Sequence, residues 1–360
     1  MNSRRMSIVL ALSFALGLAS LGCPGSVTDT RKPLARRDAL DTRETWIPSE
    51  AECVECHDEV ATQWASSRHH AAFTNVDFQR SFAREPTPFC RNCHAPALAR
   101  LPEAEAEALG VGCFECHVDG DRLLASDSAE SSESPHEAPH ESPHEAPHEA
   151  PHALTRTPDF ATDTCGRCHE FEFPRGSWRP RGTMMQTTMV EHAASSFADR
   201  SCAGCHMPER DHGFGSTRDD AAIRRALRVV ARREGDGLVV ELEPNAVGHA
   251  FPTGDLFRRL ELHAELVTPE GQTLAETTRY LGRHFEPRRH LDGRLNHAAQ
   301  QPVRDDRIRA PTTIRLELDA KGREATLVWW LDYERVDHRD NHFPERSTIA
   351  SEVRLAGGRL

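Results

Sequence analysis

Gly110-Val-Gly-Cys113-Phe-Glu-Cys116-His117 contains one of five copies of a single word, Cys-x-x-Cys-His, and that word decides how the chain folds. The other copies are Cys53-Val-Glu-Cys56-His57, Cys90-Arg-Asn-Cys93-His94, Cys165-Gly-Arg-Cys168-His169 and Cys202-Ala-Gly-Cys205-His206. Two thiols three residues apart can form thioethers to the two vinyl groups of one porphyrin, and the adjacent histidine then reaches the iron. The competing chemistry, zinc or iron–sulfur, would use Cys-x-x-Cys pairs in tetrahedral sets and predicts no histidine after every second cysteine. Five words within 154 residues therefore read as five c-type haem attachments. Their cysteines (Cys53, Cys56, Cys90, Cys93, Cys113, Cys116, Cys165, Cys168, Cys202 and Cys205) hold the porphyrins, and His57, His94, His117, His169 and His206 are the proximal iron ligands.

Composition points the same way. Of 360 residues, 38% are apolar and only 6% aromatic, so the large groups that usually fill a core are scarce. Five macrocycles would replace them by burying porphyrin surface against short helices, and folding would then be linked to haem attachment. The net charge of −12 becomes −14 when Arg4 and Arg5 leave with the leader, which excludes nucleic acid as a partner.

Met1–Arg5 is a short positive region, and Met6–Gly22 (MSIVLALSFALGLASLG) is an uncharged apolar run ending in small residues. Residues 1–22 read as a secretory signal peptide, with a tight membrane span as the alternative. Cys23, the eleventh cysteine, follows Leu21-Gly22 as in a bacterial lipoprotein signal, although Ser20 stands where leucine is usual. Cys23 is thus a candidate lipid anchor, against plain periplasmic release. Either way the chain works outside the cytoplasm, in the periplasm or as an outer-membrane or cell-surface lipoprotein.

Four regions follow in order: the signal, a tether over 23–48, a Cys/His-rich region over 49–217 and a cysteine-free region over 218–360. Within the third lies an insertion, about 125–153, ending SPHEAPHESPHEAPHEAPHA. Proline at every fourth position removes backbone donors, and almost nothing apolar is present to pack, which predicts a disordered or extended loop. His136, His140, His144, His148 and His152 could bind metal loosely, but expansion of a tolerated loop explains the repeat as well. Beyond Asp219, DDAAIRRAL reads as a short capped helix. About seven strands then follow, at Arg228–Ala231, Leu238–Glu243, Leu256–Val267, Thr273–Leu281, Thr312–Leu318, Ala325–Val336 and Ser347–Leu355. Leu260, Leu262, Ala264 and Leu266 alternate with polar residues, as in a half-buried strand. The expected fold is mixed: a haem-packed, mainly α or irregular domain followed by an antiparallel β-sandwich.

Several pieces resemble the exported multihaem cytochromes related to cytochrome c-554 and, more distantly, the hydroxylamine-oxidising and nitrite-reducing multihaem enzymes. Trp64-Ala-Ser-Ser67-Arg-His69 is similar to that family's Trp-x-x-Ser-x-His pattern, which implies that His69 is a distal ligand. GVGCFECH resembles a family haem site, while Met185-Gln-Thr-Thr188 and CHMPERDHGFG resemble its last haem segment and put His212 in a distal position. Asn245-Ala-Val-Gly-His249-Ala-Phe-Pro-Thr-Gly254 resembles a motif joining such haem domains to a sandwich, implying that His249 either ligates iron or holds its loop by hydrogen bonds. His192 departs from the pattern, standing where tryptophan is expected after Glu191. His70, His192 and a thioether from Met184, Met185 or Met189 are the remaining distal candidates.

Histidine on both faces of iron suits single-electron transfer, because both oxidation states keep their ligands. Redox proteins are the expected partners, and the acidic surface favours basic ones through salt-sensitive contacts. The alternative is an oxidoreductase acting on a small nitrogen or sulfur compound at one five-coordinate haem. Against it, no Cys-x-x-Cys-Lys variant occurs, and the only tyrosines, Tyr280 and Tyr333, lie in the strand-rich region. The number of protomers is left open.

Overall fold

The computed structural model describes residues 49–84, 86–126, 152–158, 160–174, 182–215, 219–289, 292, 294–336 and 347–360. The expected signal, tether and Cys23 lie outside these residues, as does the repeat up to Pro151.

The motif region is built from short helices: α1 (Glu50–Cys56), α2 (Asp58–Ala65), α3 (Val76–Arg84), α4 (Arg91–His94), α5 (Glu103–Leu109), α6 (Cys113–His117), α7 (Phe160–His169), α8 (Thr188–Ala193) and α9 (Cys202–His206). Local chemistry starts them. Ser49 and Glu52 close a capping box on α1, and the Ser201 hydroxyl accepts from the Gly204 amide of α9. Little strand structure is interposed: β1 (Val118–Asp119), β2 (Arg122–Ser126), β3 (Leu154–Thr157), β4 (Glu170–Glu172) and β5 (Met184–Thr187). β2 and β3 pair in parallel, Leu123 opposite Leu154, so the two ends of the His-Pro-Glu excursion are clasped together.

After α10 (Asp220–Arg225), capped by the Asp219 carboxylate, the chain turns to β-structure. β6 (Leu227–Glu234) and β7 (Gly237–Pro244) form a hairpin whose turn places Gly235 at φ 62°, where glycine is unstrained. β8 (Arg258–Val267) and β9 (Thr273–Leu281) follow, then β10 (Arg283–Arg289) and β11 (Leu295–Asp305), β12 (Thr312–Leu316), β13 (Thr326–Val336) and β14 (Ile349–Arg359). One antiparallel sheet runs β12-β7-β6 and another β14-β13-β8-β9. Leu238, Val240, Leu242 and Ile314 from the first share one apolar cluster with Leu260, Leu262, Leu266, Leu327 and Leu331 from the second. Each such leucine contributes about 1.5–3 kcal/mol on burial. The seven expected strands are present within a few residues of their expected ends. The β10–β11 hairpin was not anticipated, because Arg-His-Phe-Glu-Pro-Arg-Arg and Leu-Asn-His-Ala-Ala-Gln-Gln show no apolar alternation.

The two regions bury different things. The largest fully buried side chains, from Arg259 and Leu238 to Leu331 and Glu334, all belong to the β-region. In the motif region the buried apolar residues are chiefly Ala95, Ala97, Ala106, Phe73 and Phe114, with Leu123 and Leu124 at the edge. Ten half-buried or exposed cysteines stand where a core would otherwise be.

Candidate haem-binding centre

α6 and α9 each begin on the first cysteine of their motif and end on its histidine, α7 ends on the fourth motif, and α1 carries the first pair of thiols. A separation of three residues brings both sulfurs to one helical face. The motifs are tied to each other. Glu50 of α1 accepts from the backbone amides of Cys113 (3.0 Å) and Phe114 (3.2 Å), placing a carboxylate on the N-terminus of α6. Arg100 pairs with Glu115 and reaches Glu50 at 3.8 Å. Thiols of different motifs also meet: Cys53 with Cys113, Cys93 with Cys168, and Cys165 with Cys202, while Cys116 is within electrostatic reach of Cys168. The first motif thus adjoins the third, and the fourth adjoins the second, third and fifth.

Histidines face histidines at one recurring distance. Ring centroids are separated by 6.3 Å for His57 and His152, 6.3 Å for His117 and His212, 6.4 Å for His169 and His69, and 6.2 Å for His206 and His249. That spacing is too long for ring contact. Two metal–nitrogen bonds of about 2.0 Å, with about 1.2 Å from each nitrogen to its ring centroid, give roughly 6.4 Å. The four pairs therefore have the spacing that two imidazoles on opposite sides of one metal ion would have. His94 differs: its ring lies flat on Phe78, with centroids 3.8 Å apart and planes 13° from parallel, beside Phe73 and Phe82. Among the described residues no imidazole stands opposite it at the distance seen for the other four.

Hydrogen bonds orient these rings. The Nδ1 of His94 lies 2.7 Å from the Ala72 carbonyl, that of His117 3.0 Å from Leu124, that of His212 2.8 Å from Arg210 and that of His249 3.0 Å from Ala250. A carbonyl only accepts, so each Nδ1 carries the proton and each Nε2 keeps its lone pair for a metal. Burial, reinforced by neighbouring imidazoles, pushes His69 and His169 down to about 4, and burial likewise lowers His94, His206, His212 and His249. These rings are neutral at physiological pH, the form that binds iron. His69 Nδ1 is buried with no hydrogen-bond partner in the chain, as expected of a side chain whose polar end meets something other than protein. On these counts the residues fit haem.

The Trp-x-x-Ser-x-His and Gly-Val-Gly-Cys sequences act as one device. Val111 donates its amide to the His69 carbonyl (2.8 Å) and accepts from the Trp64 indole (2.8 Å). Ser67, fully buried, accepts from the His70 amide. Gly110, at φ 67°, lets this approach happen: a Cβ there would stand 2.5 Å from the His69 carbonyl oxygen and nearer still to that of His70. The third motif thereby holds the distal candidate that faces the fourth.

His69, His212 and His249 are all brought opposite motif histidines. His152, read from sequence only as the last unit of a repeat, faces His57. The available signal was the composition shift at Ala153-Leu154, where the repeat gives way to β3. The other candidates are placed elsewhere. His70 lies against Trp64, with ring centroids 4.3 Å apart and planes tilted by 49°, and bonds the Leu109 carbonyl through Nδ1. His192 packs where Gly248 has no side chain, 3.1 Å from that residue's Cβ position. Met184 and Met185 offer their carbonyls to Arg283, and Met189 lies against Gly166 of the fourth motif.

Residues 52–118 match the family described as cytochrome c554 and c-prime. No curated protein matches the chain significantly. Among solved structures, a penta-heme cytochrome c552 from Thermochromatium tepidum has a similar fold, with TM-score 0.61 and 20% identity over 87% of this chain and 98% of that one.

Proposed function

We propose that this multihaem c-type cytochrome, of the cytochrome c554 kind, is an exported electron carrier with five covalently attached haems, four of them ligated by histidine on both faces. The observation that carries the reading is the set of four imidazole pairs at 6.2–6.4 Å. Bound haem supplies a one-electron iron couple, whose potential responds to ligands, burial and nearby charge. The chain does the rest. Backbone carbonyls hold the rings of His117, His212 and His249 in one tautomer, so ligation need not rearrange when an electron arrives. With the first motif beside the third, and the fourth beside the second, third and fifth, haems on these motifs would form one branched conduit. The two β-sheets would form a sandwich that presents His249 and leaves an acidic exterior for a basic redox partner. The leader and Cys23 would put the protein in the periplasm or on a membrane surface as a lipoprotein.

Redox titration followed in the visible and near-infrared tests this reading. Four haems that keep bis-histidine, low-spin spectra in both oxidation states support it, and a ligand change on reduction at those haems refutes it.

The environment of His94 favours a second reading at that haem alone. With Phe78 against the proximal ring and no facing imidazole among the described residues, the distal side could admit a small nitrogen or sulfur compound. A high-spin signal that shifts with nitrite, hydroxylamine or sulfite would support this. A fifth low-spin haem indifferent to all three would remove it.

A further inference from the structure

Glu191 sits on α8 with its side chain 5% exposed, and none of the ligation described above uses it. Its carboxylate is nonetheless saturated. Oε1 accepts from the Thr187 hydroxyl (2.5 Å) and pairs with Arg307 Nη2 (2.6 Å). Oε2 accepts from the Thr253 hydroxyl (2.8 Å) and from the backbone amide of Ala250 (3.2 Å). Two of these partners are in the loop that carries His249, one is beside β11, and one is at the start of α8 itself. Ala250 also supplies the carbonyl that takes the His249 Nδ1 proton, so the residue that orients the ring is the one Glu191 grips.

Other contacts lock the same joint. Thr188 and Thr253 share a hydroxyl contact at 3.1 Å, and Phe251 exchanges two backbone hydrogen bonds with Ile308, next to Arg307. Gly248 packs against His192 and Phe197, with only 3.0 Å between its Cβ position and the Phe197 Cβ, so the loop cannot drift toward the motif region. A buried carboxylate is unfavourable unless donors surround it, and this one has four from three segments. A side chain needed only to cap α8 would not require Arg307 or Ala250.

We propose that Glu191 is the positioning residue for the distal ligand of the fifth haem, holding His249 parallel to His206 and placing a negative charge beside it. The planes of the two rings are 11° apart, and the Glu191 carboxylate holds the amide of Ala250, the residue next to His249. The proposal rests on the reading that His249 ligates that haem. Removing the carboxylate should free the Ala250 amide, let the His249 ring rotate and raise the potential of that one haem, because a nearby anion stabilises the oxidised iron.

The test uses the full haem-loaded protein and three variants, E191A, E191Q and H249A, with low-temperature paramagnetic resonance and redox titration. H249A should convert one low-spin haem to high-spin. E191A should lose most of that same low-spin amplitude, and E191Q should keep the amplitude with shifted g-values and a raised midpoint, the remaining signals being unmoved in both. A side chain that merely stabilised the fold would lower the melting temperature without singling out one haem. If H249A changes no low-spin signal, the ligation reading fails and the proposal with it. If H249A removes a signal while E191A and E191Q leave that signal and its midpoint as in the parent, ligation stands and the proposal is overturned. Should E191A not assemble, E191Q and T253V, which deletes one of the four donors, decide in the same way.

Discussion

Gly110→Ala should displace His69 from His169 without touching either residue. At φ 67° and ψ −127° the backbone of Gly110 is in a region that an L side chain occupies only under strain, at about 1–3 kcal/mol. The added methyl would also meet the His69 and His70 carbonyl oxygens, both main-chain atoms that cannot swing aside. Relief requires Val111 to withdraw. That breaks its amide bond to the His69 carbonyl and its carbonyl bond from the Trp64 indole, each worth about 1 kcal/mol. Together the change amounts to about 3–5 kcal/mol at one joint. Gly120→Ala is the matched control, since φ is 64° there and nothing stands within 4 Å of the new Cβ, so strain of about 1–2 kcal/mol is its whole cost. Haem content by intact mass, thermal melting and the count of low-spin haems would be compared. The expected result is a larger loss of stability in G110A than in G120A, together with loss of one low-spin signal. Equal melting temperatures and identical spectra in the two variants would refute the argument.

In the β-region, Glu334→Gln should cost about 1.5–3 kcal/mol, because it removes the charge-assisted hydrogen bond of Arg259, 2.6 Å away and 2% exposed, while burial already pushes the Glu334 carboxyl up to about 7. Denaturant melting checks this, and a loss below about 1 kcal/mol would contradict it. Burial works against the Asp305 carboxylate, but hydrogen bonds from Arg307 and Arg309 overcome it and hold the group at about 2. Its pKa is depressed, so its contribution is complete above about pH 4 and disappears as pH falls through about 2. Discounted for its partial exposure it is worth about 1 kcal/mol. Asp305→Asn should therefore melt below the parent at pH 6 and together with it near pH 2, and a gap that persists at pH 2 would overturn the assignment. Full-length chain made without haem should lose its helical circular dichroism and become protease-sensitive before Arg210, while the β-region, which has its own apolar cluster, stays resistant. Uniform digestion of both regions would disprove that division.

What could be read in the sequence followed from local rules. The thiol–imidazole word is self-contained, so attachment chemistry needs no tertiary information, and the alternation of Leu260, Leu262, Ala264 and Leu266 marks a buried face directly. His69, His212 and His249 came from resemblance. What remained hidden depends on distance in the chain. His152 differs from the other repeat histidines in being followed by Ala153, where each of them is followed by glutamate, but nothing in that change points to His57, ninety-five positions away. The role of Gly110 is visible only when His69 lies beneath it. Arg283–Arg289 gives no strand signal because Phe285 is its one large apolar residue, and a single position sets no hydrophobic period.

The most direct test of the imidazole pairs is low-temperature paramagnetic resonance of the oxidised, haem-loaded protein, compared with His152→Ala. The parent should show four low-spin bis-histidine haems and the variant three, the lost signal reappearing as high-spin with all five haems still attached. An unchanged low-spin count in the variant, or fewer than four such haems in the parent, would contradict it.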